Sequence, residues 1–412
     1  MNEYHLIRSN DHFTRKDHHS TTIAHLKSTH NKLRFVNMLH GLRSSVDTTG
    51  LLTTCISIDT STHTYYMAST HMHRLYVCDD GLRVMDKIEV GIDQGEVKFY
   101  YCQVLAYNGY LIVFLTDGKM GILIEGKILV LLLDVKYRWL LSKLDSSTDS
   151  CRGKTGPVIV NDYLYYLKDD QNCESQMALV RLNIKLLIEA VKLDSLDIDK
   201  MINEWTDIIV KNVQSFCFSQ TQKLIYSIDL ENRIFTTSLP QLKSILKSEG
   251  YLNENSAAVA LKDYLIVFSK PYFNVLSNDL TIRAYSIRTL KLLDTHKPQR
   301  PQSNTTTIFS NLHAYTVNSC TSIISTIDSN MRMDIYTIHK HSIVHVCACN
   351  LMLDAGQVSV DDIEDHKVYT YKILHSAVVQ KNRKIVELYL FGLRRIESLH
   401  PVHKLFRYEF RF

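Results

Sequence analysis

The stretch KDYLIVF, Lys262–Phe268, has near-copies in NGYLIVF, Asn108–Phe114, and NDYLYYL, Asn161–Leu167. Each copy is a polar pair followed by leucine, β-branched and aromatic residues. Such a run, bounded by Asn, Asp or Gly, is a strand entered from a tight turn. Looser copies are THTYYMAS (Thr62–Ser69), TQKLIYSI (Thr221–Ile228), NLHAYTV (Asn311–Val317) and NRKIVELYLF (Asn382–Phe391). With Tyr65, Leu111, Leu164, Leu224, Leu265, Tyr315 and Ile385 as anchors, the mean spacing is about 53 residues.

The surroundings of each anchor recur as well. An apolar run comes before it, as in YYCQVLAY, GPVIV and SAAVAL, and a second follows the next turn, as in HRLYVC, MGILI and MALVRL. The unit is strand, tight turn, strand, turn, strand. Several strands in a repeat of this length predict an all-β fold, a β-propeller of antiparallel strands with seven blades favoured. A single blade cannot bury both its faces, so blades stack. A large β-sandwich, or two separate β domains, is the alternative that the uneven spacing keeps open.

The fragment LTIRAYSIRTLKLLDT, Leu280–Thr295, is the clearest single unit. Ile282, Ala284 and Ser286 alternate with Thr281, Arg283 and Tyr285, and a short turn leads to Leu290, Leu292 and Leu293. It resembles the third and fourth strands of a WD40-type blade. The Gly-His and Trp-Asp pairs of that family are absent at the blade positions, as is the Gly-Gly pair of kelch blades. The resemblance implies a divergent WD40-like propeller over residues 46–412.

Composition limits the classes of function. The chain has 412 residues, 45% hydrophobic and 22% charged, enough to bury a core without disulfides or metals. Its net charge of +4, from 47 Lys+Arg and 43 Asp+Glu, is too balanced to mark a nucleic-acid binder by itself. Nine scattered cysteines do not make a disulfide framework; free thiols in a reducing, intracellular compartment, cytoplasmic or nuclear, are expected. No secretory h-region is seen, and no apolar run is long enough to span a membrane; ILVLLL, Ile128–Leu133, lies between Lys127 and Asp134 and suits a buried strand.

Three segments depart from the repeat. Residues 1–45 hold seven His, seven Lys or Arg and three Asp or Glu, a basic His-rich arm. It is either loosely docked or supplies an outer strand to the last blade. Residues 183–211 change period: Ile198, Met201, Ile202, Trp205, Ile208 and Ile209 fall on one helical stripe, with Asp197 as N-cap. Residues 239–249 lie between Ser238 and Gly250 with Pro240 in the first turn, which also predicts a helix. Both helices are expected to decorate a blade edge. A partner-docking helix is the functional reading, with Trp205 and Ile209 as contact residues, since Trp is enriched in interface hot spots.

Catalytic and cofactor motifs are weak. CRGKTGP, Cys151–Pro157, lacks the upstream glycine of a phosphate loop, because Thr148 stands there. In HKHSIVHVCAC, His339–Cys349, the candidates His341, His345, Cys347 and Cys349 occupy alternate positions and would share one strand face. Their chemistry suits zinc, but same-face neighbours lie nearly 7 Å apart on a strand, awkward for a tetrahedral site. No nucleophile-elbow G-x-S-x-G occurs.

No cofactor, no metal and no catalysis are therefore expected. The leading expectation is a protein–protein interaction scaffold, a subunit of a larger intracellular assembly with other proteins as partners. One alternative is a nucleic-acid-associated subunit of an RNA-processing or chromatin complex, using the basic arm and HPVHKLFRYEFRF. Another is an enzyme working in the propeller channel.

Overall fold

The computed structural model describes residues 4–9, 12–13, 17–18, 21–26, 37–47, 53–59, 64–69, 74–79, 83–89, 103–114, 120–124, 128–132, 157–169, 177–193, 197–219, 221–229, 231, 233–239, 244–247, 254–271, 280–298, 309–318, 321–328, 332–350, 372–380, 385–394 and 402–411. Five strands come first: β1 (Tyr4–Ser9), β2 (His12–Phe13), β3 (Asp17–His18), β4 (Thr21–Leu26) and β5 (Asn37–Asp47). Sheet one follows, with β6 (Thr53–Asp59), β7 (Thr64–Ser69), β8 (Arg74–Cys78) and β9 (Val84–Glu89). Sheet two holds β10 (Gln103–Tyr107), β11 (Tyr110–Phe114), β12 (Met120–Ile124) and β13 (Ile128–Leu132).

Sheet three holds β14 (Val158–Val160), β15 (Tyr163–Asp169), β16 (Met177–Asn183) and β17 (Thr206–Lys211). Two helices, α1 (Ile184–Lys192) and α2 (Ile198–Glu204), stand between its last two strands. Sheet four is β18 (Val213–Ser219), β19 (Leu224–Asp229), β20 (Ile234–Ser238) and β21 (Ser244–Lys247). Sheet five is β22 (Glu254–Ala260), β23 (Tyr264–Pro271), β24 (Thr281–Ser286) and β25 (Leu292–His296). Sheet six is β26 (Phe309–Asn318), β27 (Thr321–Asp328), β28 (Arg332–His339) and β29 (Ser342–Asn350). Sheet seven joins β30 (Lys372–Gln380), β31 (Ile385–Arg394) and β32 (Val402–Arg411) to β5, β4 and β1.

The recurring phrase is the turn into the second strand of a sheet. Asn108 and Gly109, between β10 and β11, both have positive φ, 47° and 83°. A two-residue hairpin of this hand needs two such residues, and Asn-Gly adopts the shape at little steric cost. Asn161 (φ 54°) opens the turn between β14 and β15, and Lys262–Asp263 make the turn between β22 and β23. The strands that follow are buried on both faces. Leu164–Leu167 and Leu265–Phe268 are buried without interruption, which is why they read as continuous apolar runs and not as alternating ones.

Each sheet packs on its neighbours in chain order. Ile112 and Phe114 of sheet two meet Leu164 and Tyr166 of sheet three. The other face of sheet three, with Tyr165 and Leu167, meets Phe216 and Ile225 of sheet four. Tyr226 and Ile228 of sheet four meet Leu265 and Val267 of sheet five. Ile266 and Phe268, on the reverse of that strand, meet Ile324 and Tyr336 of sheet six. The sheets complete a circuit: β6 lies beside β10, β10 beside β14, β16 beside β18, β18 beside β22, β22 beside β26, β26 beside β30, and β30 beside β6.

Closure of the circuit is antiparallel pairing. The strand β5 pairs with β32, from Leu39 opposite Arg411 to Asp47 opposite Lys404. The boundary drawn at residues 45/46 therefore falls inside a strand of sheet seven. The second helix expected from sequence, over 239–249, is not formed. Its place holds β21, which pairs with β20 through Phe235–Lys247 and Thr237–Ser244. Sheet four requires a fourth strand on its edge, and that pairing overrides a local Ser-Pro-Gly signal of helix ends. Among the described residues, no helix is long and apolar enough to cross a membrane.

A chain lacking residues 1–47 leaves the outer edge of β32 unpaired, whereas one lacking only 1–35 retains β5. The longer truncation is expected to melt at a clearly lower temperature, because sheet seven loses the strand paired to β32, whereas both truncations leave one strand edge open. Equal melting curves for the two truncations would contradict this account of closure.

Candidate functional site

Among the described residues, helices occur in one place, the α1–α2–β17 elaboration of sheet three. Asn183 caps α1 by accepting a hydrogen bond from the Leu186 N–H at 3.2 Å. Ile184, Leu187, Ile188 and Val191 are buried, at the i, i+3, i+4, i+7 spacing of an amphipathic helix. Lys192 in the last turn sits over the Tyr110 ring at 4.9 Å, which ties the helix to sheet two. The short α2 buries Ile202, and its Asn203 Oδ1 accepts a bond from Lys168 Nζ at 3.1 Å.

Trp205 and Ile209 do not lie on one helical stripe, which corrects the sequence expectation. Helix α2 ends at Glu204, and Trp205 caps it at φ −90° and ψ 0°. Thr206 Oγ1 then donates to the Ile202 carbonyl at 2.6 Å, and Thr-Asp-Ile-Ile-Val continues as β17. The run of β-branched residues suits the outer strand that sheet three needs. Trp205 is partly buried against the core between sheets two and three, whereas Ile209 packs against the core between sheets three and four. The side chains left outward are others: Leu186 at 40% exposure, Leu193 at 80% and Ile208 at 59%. Val84 and Met85 on β9 are the remaining large apolar residues exposed among the described ones.

The histidine and cysteine candidates are separated by a bulge. His341 lies in the turn between β28 and β29, with φ 71°, after Lys340 at φ 46°. Its ring is 6.2 Å from that of Tyr264. His345 stands opposite Tyr336, yet Cys347 stands opposite Ile335, because Val346 is an extra residue in β29. Adjacent residues of β28 point to opposite faces, so His345 and Cys347 do too. The expected single face is thus divided at the bulge, with His345 on one side of it and Cys347 on the other. Cys349 is opposite Met333 in register. No group of three metal-ligating side chains occurs among the described residues. The possible phosphate loop at 151–156 lies outside the described residues.

His345 instead joins a cluster at the junction of sheets five and six. Its Nε2 is 3.2 Å from Asp334 Oδ1, which also accepts from Arg332 at 3.2 Å. Its ring meets the Tyr336 ring at 5.2 Å, and His296 of β25 meets the same ring at 5.0 Å. Beside them the Ile343 N–H donates to Asp294 Oδ2 at 2.6 Å, from one sheet to the next. Sequence reading missed His296 and Asp294, since nothing local to LKLLDTH marks it as the facing edge of another sheet.

Two outcomes follow from these positions. Trp205→Ala is expected to destabilise the protein by about 2–3 kcal/mol, below the cost of deleting a fully buried aromatic, because the indole is only partly enclosed. An unchanged denaturant midpoint would show that its packing contributes nothing. Metal analysis of the purified protein is expected to find no zinc bound through His345 and Cys347. One equivalent, lost on replacing both, would require a rearranged β29.

Comparison with known proteins bears on the fold. No family model and no curated protein matches the sequence. Among solved structures, a chain in the complex of S. cerevisiae Dbp5 bound to Nup159 and Gle1 is similar with a TM-score of 0.50 and 8% identity, over 87% of this chain and 89% of that one. BamB from Moraxella catarrhalis gives 0.46 at 12% identity, over 86% of this chain and 82% of that one. U3-55K gives 0.47 at 7% identity, over 86% and 94%. Identities this low speak to fold alone. Antiparallel sheets stacked in chain order, with the last completed by a strand from the other end of the sequence, give this chain the fold of a β-propeller.

Proposed function

We propose that this propeller is a non-catalytic interaction scaffold, a subunit of a larger intracellular assembly, with each of sheets one to seven acting as one blade. The ring is the rigid support, and the α1–α2–β17 elaboration presents the contact surface. The observation that carries this reading is the exposure of Leu186, Leu193 and Ile208, three of the five large apolar side chains exposed among the described residues, all on an elaboration whose other side chains pack into the protein's own core. Exposed apolar side chains that gather on one feature mark contact sites more often than scattered ones do. Trp205 supports this surface from beneath by packing on the blades.

The test is a double substitution that keeps the fold. Leu193→Asp with Ile208→Asp places two charges on exposed positions, so thermal melting should stay close to wild type. Affinity purification from native cells with each protein, compared quantitatively, should show specific partners lost with the variant. Retention of every partner at wild-type level by a folded variant would remove this surface from consideration. Partners released steeply by added salt or by nuclease would instead indicate a nucleic-acid contact.

A further inference from the structure

We propose that the junction between sheets five and six is a proton-sensitive joint, closed while His296 is neutral and loosened when its imidazole takes up a proton. His296 is on β25, the outer strand of sheet five, and is partly enclosed against sheet six. Its ring packs on Tyr336 at 5.0 Å, and His345 packs on the same tyrosine at 5.2 Å. Tyr336 is itself buried, and both imidazoles meet its one phenol ring at the seam.

The charges facing His296 can be named. From its own strand comes Asp294, from β28 the Tyr336 ring, and from β29 His345, behind which stand Asp334 and Arg332. Asp334 is already engaged by Arg332 and His345, at 3.2 Å each. Asp294 favours a proton on His296, but that carboxylate also holds the joint, with its Oδ2 on the Ile343 N–H and its Oδ1 on the Thr295 N–H. A charged His296 would compete for it and weaken the bond that crosses between sheets.

Burial opposes the charged form most strongly, Asp294 favours it, and His345 opposes it, so the imidazole is held below its ordinary value of 6.5. In the unfolded chain it regains that value. As pH falls through about 6.5, the unfolded state binds the proton first, and stability contributed by neutral His296 is lost. Above that pH the contribution is complete.

The measurement compares wild type with His296→Phe and His296→Gln between about pH 7.5 and 5.5, the range in which histidine titrates. Thermal melting gives the global response. Hydrogen exchange of the Ile343 amide, corrected for the intrinsic pH dependence of exchange, gives the local one. Wild type should lose both melting temperature and Ile343 protection as pH falls, and both losses should flatten in the two variants. If one variant does not fold, the other decides. Equal slopes in wild type and in a folded variant would overturn the proposal, as would wild-type protection of Ile343 that does not change with pH.

Discussion

The fold depends on strands that are apolar on both faces. In β23, Leu265 and Val267 point into one interface while Ile266 and Phe268 point into the next. An isolated sheet of this kind would leave one full apolar face in water. At about 25 cal/mol per Å² of apolar surface, no local contact offsets that loss. Each sheet must therefore be covered on both sides. A row of such sheets has two uncovered ends, and a closed circuit has none. Sheets three, four and five show the consequence directly, because each serves two separate cores.

Around this constraint the chain uses one backbone device repeatedly. After the third strand of three successive sheets, the chain is pinned to the turn that opens the second strand. Ile184 donates to the Asp162 carbonyl at 2.9 Å, Leu239 to Lys223 at 3.3 Å, and Ile287 to Asp263 at 3.1 Å. The turn of the repeated phrase is therefore also an anchor for the exit from the third strand. Side-chain ties between sheets sit close by: Tyr107 Oη donates to Asp162 Oδ1 at 2.6 Å, and Tyr226 Oη to the Ile287 carbonyl at 3.0 Å. Burial and the bond to Asp162 together push the Tyr107 hydroxyl up to about 12, so it remains a proton donor at any physiological pH.

The architecture was legible because its signals are local. A hairpin turn such as Asn108-Gly109 and the two-sided strand after it fit within seven residues and recur along the chain. The helical reading of 198–209 failed because period alone does not distinguish a helix from a short helix followed by a β-branched strand. What separates them is the place left for β17 beside β16, which is a property of the sheet. The reading of 239–249 failed for the same reason. The alternation in HKHSIVHVCAC was misleading because a bulge at Val346 changes which face follows, and no residue type there announces it. The cluster of His296 with Tyr336 and His345 joins strands from two sheets, so no sequence window contains it.

The pairing of β5 with β32 also bears on the order of events in folding. Leu39 and Arg411 are register partners, yet almost the whole chain lies between them. Sheets one to six are each built from consecutive strands, so they can form as the chain leaves the ribosome. Sheet seven cannot follow that course. Its β5 emerges early and must remain unpaired with β32 until that strand has been made. The entropy of closing so long a loop grows slowly with length, but it is repaid only at the end. Completion of the ring is thus a late step of high contact order, and until β32 has been made the edge of β5 that receives it stays open.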